Sequence, residues 1–64
     1  MTVYEWISEH VQDHTGWIRT FDRRTKMYRP IRECARLQVL KVRYHKGYGC
    51  YQINTVIEVQ TERR

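Results

Sequence analysis

Sixty-four residues leave room for one domain, and a chain this short buries only about 60% of the surface that its unfolded form exposes. It carries twelve Lys and Arg against seven Asp and Glu, a net charge of +5. So small a core argues against an enzyme with a deep pocket, two cysteines make no disulfide scaffold, and no apolar run approaches the roughly 20 residues of a transmembrane helix.

Thr2-Val3-Tyr4-Glu5 reads as a capping box, in which Thr2 accepts from the amide of residue 5 and Glu5 reaches back to the amide of Thr2. Val3, Ile7 and Val11 then recur every four residues beside Trp6, which predicts a helix over about 3–14 with Gly16 as its left-handed stop. Trp17 to Phe21 is β-branched and aromatic and reads as a strand, with Trp6 and Trp17 expected in the core. Residues 22–31 allow either a short helix or a turn with Met27–Ile31 returning as a strand.

Pro30 suits the first turn of a helix, and Ile31, Cys34 and Ala35 have helical spacing, so a basic helix is expected over about 30–38. Leu40, Val42 and Tyr44 alternate with Lys41, Arg43 and His45; Tyr51, Ile53, Thr55, Ile57 and Val59 resume the alternation after Lys46-Gly47-Tyr48-Gly49. That predicts a hairpin with Tyr44 opposite Tyr51, Val42 opposite Ile53 and Leu40 opposite Thr55, with Cys50, Gln52 and Asn54 facing His45, Arg43 and Lys41. The single domain spans 1–64, with an ordered core of about 2–60 and a frayed tail from Thr61.

The charge is segregated. Residues 1–16 hold Glu5, Glu9 and Asp13 and no Lys or Arg, whereas residues 17–46 hold ten cations against Asp22 and Glu33, a net of +8. A concentrated basic surface is the footprint of a polyanion binder; a solvated surface serving solubility is the plainer alternative. Arg29, Arg32 and Arg36, at i, i+3 and i+7, would share a helix face, and guanidinium forks match phosphates and guanine edges. Lys41, Arg43, His45 and Lys46 line one face and the tip of the hairpin, with Tyr48 exposed in its loop. Arg23, Arg24 and Lys26 make a second basic cluster. His10 and His14 have a metal-clamping spacing without a third ligand, and Cys34, Cys50 and His45 match no zinc spacing, so no metal or cofactor is expected. There is no nucleophile–base set and no phosphate loop.

The order helix, short strand, basic helix, long hairpin resembles a winged helix-turn-helix domain. The likeness lies in Gly16-Trp17-Ile18 as the strand after the first helix, and in Arg29 to Ile53, where a basic helix passes into a strand and a glycine-containing wing. It covers about residues 3–57 and departs from the family in leaving only Asp22 to Gln38 for two helices. The resemblance implies a small α+β, winged-helix-like domain that binds duplex DNA as a transcriptional regulator or excisionase-like architectural factor. The helix would meet the major groove through Arg29, Arg32 and Arg36; Lys41, Arg43, His45, Lys46 and Tyr48 would touch the adjacent backbone, with Arg23, Arg24 and Lys26 at the other edge.

A compact helix–hairpin–helix–hairpin fold is the alternative architecture. A phage-type inhibitor or adaptor that binds a host protein through the basic face is the alternative function. RNA binding is a third, with Tyr48, Tyr28 and Tyr4 as stacking candidates. The residues before Gly16 show no signal-peptide pattern, so a cytoplasmic protein with no membrane or small-molecule partner is expected.

Overall fold

The structure, a computed structural model, describes residues 1–14, 16–46 and 52–61. The capping box opens helix α1, Val3–His10, which tightens into a 3₁₀ turn over Val11–Asp13. A helix start leaves its first amides without intrahelical partners. Here the Thr2 amide donates to Glu5 Oε1 (3.0 Å), that of Val3 to the Leu37 carbonyl (3.0 Å), that of Tyr4 to the Ala35 carbonyl (3.1 Å) and that of Glu5 to Thr2 Oγ1 (3.2 Å). Hydrogen bonds from the Thr2 amide first, and then from its hydroxyl, hold the Glu5 carboxyl below the usual carboxylate range.

Residues 22–31 resolve the open choice as a hairpin: β1, Ile18–Asp22, turns through Arg23–Lys26 into β2, Met27–Arg29. Lys26 takes the left-handed conformation that closes the turn (φ 57°). Helix α2 is one turn, Ile31–Cys34, and does not extend over 30–38 as expected. Pro30 is its N-cap and offers no side-chain acceptor; past its end the Leu37 amide donates to the Cys34 carbonyl three residues back, and the carbonyls of Ala35 and Leu37 accept from α1.

Strands β3, Lys41–Lys46, and β4, Ile53–Val59, form the second hairpin. Its register differs from the expected one by four residues: Tyr44 faces Thr55, Val42 faces Ile57 and Lys41 faces Glu58. The shift centres Val56 and Ile57, where the expected pairing would have centred Ile53. Being even, it leaves every side chain on the expected face. The expected loop residues Gly47, Tyr48 and Gly49, with Cys50 and Tyr51, lie outside the described residues.

The strands make one mixed sheet in the order β2-β1-β4-β3, with β1 parallel to β4 and each hairpin antiparallel. The result is a small α+β domain of the helix–hairpin–helix–hairpin kind. Both helices cover one face, where Val3, Trp6, Cys34, Ile57 and Val59 form the core, with Ile7, Ile18, Leu37, Val39 and Val42 packed around it. Trp17 does not join them; it is 44% exposed.

Two residues tie the frame. Gly16 is not in the left-handed conformation expected of a helix stop. It is small because β4 passes against it: a Cβ there would run into the Ile53 carbonyl and sit 2.7 Å from Asn54 Oδ1. Asp22 is wholly buried at the end of β1. Its carboxylate accepts from the Thr61 hydroxyl (2.6 Å), the Thr61 amide (3.3 Å), the Arg24 amide (2.9 Å) and Arg29 Nη1 (3.4 Å). Thr61 is therefore clamped, where fraying was expected.

Burial alone would raise the pKa of Asp22, but the bonds from Thr61 and Arg24 outweigh it and hold the carboxyl far below its usual range. A carboxyl lower in the folded than in the unfolded chain adds stability that is fully present above the unfolded value, about 3.9, and drains away as the pH falls below it. Thermal melts of the native chain should therefore weaken steadily below about pH 4. Asp22→Asn should cost about 3 kcal/mol or more at neutral pH and lose much of that acid dependence. Gly16→Ala should cost about 1–3 kcal/mol in urea melts through overpacking; an unchanged midpoint would show that the backbones are not in close approach.

Candidate nucleic-acid interface

Side chains alternate along a strand, and register partners share a face. The face away from the helices therefore carries Tyr28 of β2, Arg19 and Phe21 of β1, Asn54, Val56 and Glu58 of β4, and Lys41, Arg43 and His45 of β3. No described helix covers it. Val56 is nonetheless almost fully buried. Its register partners on either side are Arg19 and Arg43, whose long side chains can cover it along their aliphatic stems.

The face has two halves. Toward β2, the Arg19 guanidinium lies 4.3 Å from the centre of the Tyr28 ring and 5.5 Å from that of Trp17, and Phe21 meets Tyr28 edge-on at 5.2 Å. Trp17 and Tyr28 are about half exposed. Toward β3, Glu58 pairs with Arg23 (3.0 Å) and with Arg43 (3.2 Å), so one carboxylate is shared by two guanidinium groups. Lys41 and His45 stand exposed beside them, and neither is among the described ion pairs.

The expected site residues are thus divided. Arg23, Lys41, Arg43 and His45 gather on the open face. Arg24 leans back to the Thr61 hydroxyl (3.2 Å), and Lys26 is exposed in the turn. Lys46 is exposed at the end of β3 and falls on the opposite face by alternation. Arg29, Arg32 and Arg36 do not share a helix face: Arg29 belongs to β2 and turns to Asp22, Arg32 is in α2, and Arg36 lies in the turn beyond it. The cause is the shortening of α2. Tyr48 lies outside the described residues.

Arg19, Trp17 and Phe21 were not among the expected site residues. Alternation from Arg19 to Phe21 was legible, but which face the helices would leave bare depended on the pairing of β1 with β4. The histidines of α1 diverge: His10 stacks on Trp6 (4.1 Å between centres) and donates from Nδ1 to the Trp6 carbonyl (2.7 Å), while His14 lies 3.4 Å from the Thr55 hydroxyl. Among the described residues no group of three His, Cys, Asp or Glu could hold a metal ion, and no helix is long and apolar enough to cross a membrane.

A groove of about 370 Å³ runs beside β2, lined by Thr25, Met27, Tyr28, Arg29, Pro30 and Glu33. Its cation is engaged by Asp22 and its carboxylate would repel phosphate, so it does not extend the basic surface. Comparison with family models, with curated protein sequences and with solved structures finds no match. The site rests on its own geometry.

Glu58 is 12% exposed and its two arginines 42%, so its pairs are partly screened. Glu58→Gln should cost about 1 kcal/mol or less in chemical denaturation, and less at high salt. A loss several times larger would make the trio a structural clamp.

Proposed function

We propose that the chain is a nucleic-acid-binding module whose contact surface is the open face of its sheet. The observation that carries this reading is the gathering of Arg19, Arg23, Lys41 and Arg43 on an uncovered face, with Glu58 as its one carboxylate among the described residues. Phosphates attract such cations and exchange them for released counterions, giving affinity without requiring a pocket. The acidic positions Glu5 and Glu9 lie on α1, in the layer behind the sheet. The helix layer carries Arg32 and Arg36 as well as these carboxylates, so it is mixed in charge, whereas the open face is dominated by cations, which favours that face for a polyanion.

A winged-helix-like regulator with α2 in the major groove draws less support. A single helical turn presents few side chains to base edges, and Arg29 is committed to Asp22.

Anisotropy titrations with labelled duplex and single-stranded oligonucleotides test the reading. Dissociation constants of about 10⁻⁴ to 10⁻⁶ M at physiological salt, rising steeply with salt, are expected. Lys41→Ala and Arg43→Ala should each weaken binding and flatten the salt dependence by about one unit. Arg32→Ala and Arg36→Ala should do little, and Glu5→Gln, which preserves the capping box, should do nothing. Glu58→Gln should tighten binding by releasing two guanidinium groups. No binding at about 50 mM salt, or binding that depends on Arg32 and Arg36 alone, would overturn the proposal.

A further inference from the structure

We infer that the open face takes single-stranded nucleic acid, with Trp17, Arg19 and Tyr28 as its stacking platform. The inference rests on the open face being the nucleic-acid surface, and it names the form of the ligand.

A duplex shows a protein its phosphates and the edges of its bases; the flat faces of the bases are hidden in the stack. A surface that only tracks phosphates gains nothing from aromatic rings. Here Trp17 is 44% and Tyr28 47% exposed, in a chain whose core is short of large side chains, and both flank the one arginine of β1. Unpaired bases stack on aromatic rings and on guanidinium planes alike, so a base can stack on the guanidinium that lies over Tyr28 and Trp17 or take its place on those rings. Phe21, edge-on to Tyr28, supports that ring from the side.

The two halves of the face divide the work. The aromatic row lies on and before β1 and on β2, whereas Lys41 and Arg43 stand on β3. β1 and β3 are two strand spacings apart, roughly 10 Å. A nucleotide can span that breadth from base to phosphate, so one strand could stack its bases over β1 and β2 while its backbone follows β3. Glu58, between the halves, pairs with Arg23 and Arg43, and its negative charge discourages a second phosphate backbone there.

The experiment compares a single strand of about 12 nucleotides, as DNA and as RNA, with a duplex of the same sequence at matched salt. At least one single strand should bind more tightly than the duplex. Tyr28→Ala and Trp17→Ala should each weaken single-strand binding by about five- to 150-fold and leave duplex binding nearly unchanged, whereas Tyr28→Phe, which keeps the ring, should retain it. Circular dichroism checks that the variants remain folded. As a second measurement, the native chain's tryptophan fluorescence should be quenched by the single strand, and Trp17→Phe should abolish the change because Trp6 is buried. If duplex binds as tightly as either single strand and the aromatic variants are silent, the inference falls while the proposed function stands. If neither form binds, the proposed function falls with it.

Discussion

The parallel ladder between β1 and β4 joins two hairpins that are otherwise local. Its partners are far apart in the chain, Ile18 with Thr55 and Asp22 with Val59. Parallel pairing leaves the joined strands at the centre of the sheet, and β4 is accordingly buried on both sides at Thr55, Val56 and Ile57. The helices then have one continuous apolar surface to cover, and the opposite surface is left bare. Gly16 serves this ladder by letting the chain from α1 come against β4. Asp22 locks its far end, where β1, the turn after it, β2 and Thr61, two residues beyond β4, meet on one carboxylate.

With the sheet assembled, the charges of the middle of the chain are sorted by strand parity. Lys41, Arg43 and His45 fall on the bare side along with Arg19, while Arg32 and Arg36 are carried to the helix layer. The basic segment of the sequence is thus two surfaces in the folded chain. The sheet surface combines cations with the exposed rings of Trp17 and Tyr28 gathered around Arg19, which is why it is the one proposed to meet nucleic acid.

Much of this was legible in the sequence where the signal is local. The capping box, the strand after Gly16 and the two-faced alternation of β3 and β4 all follow from spacing within a few residues. The register of the second hairpin was not, because both pairings satisfy alternation equally; the choice was made by β1 and the helix layer. Asp22 shows the same boundary within a single residue. Its bond to the Arg24 amide, two residues on, is the turn chemistry expected of an aspartate before a tight turn. Its bonds to Thr61, 39 positions away, have no local trace. The exposure of Trp17 is likewise set at a distance, since an apolar ring beside a strand reads as core until the coverage of the sheet is known.

The outer position of β3 has a consequence for self-association. An edge strand presents unpaired backbone amides and carbonyls to which another strand can add, and charged side chains along it are what normally keep such edges apart. β3 reads Lys-Val-Arg-Tyr-His-Lys, so two copies brought edge to edge would set like charges against each other. A polyanion lying along Lys41 and Arg43 would cancel that repulsion while leaving the backbone edge open. The same charges that are proposed to draw in a strand of nucleic acid would therefore also oppose edge-to-edge pairing of free copies.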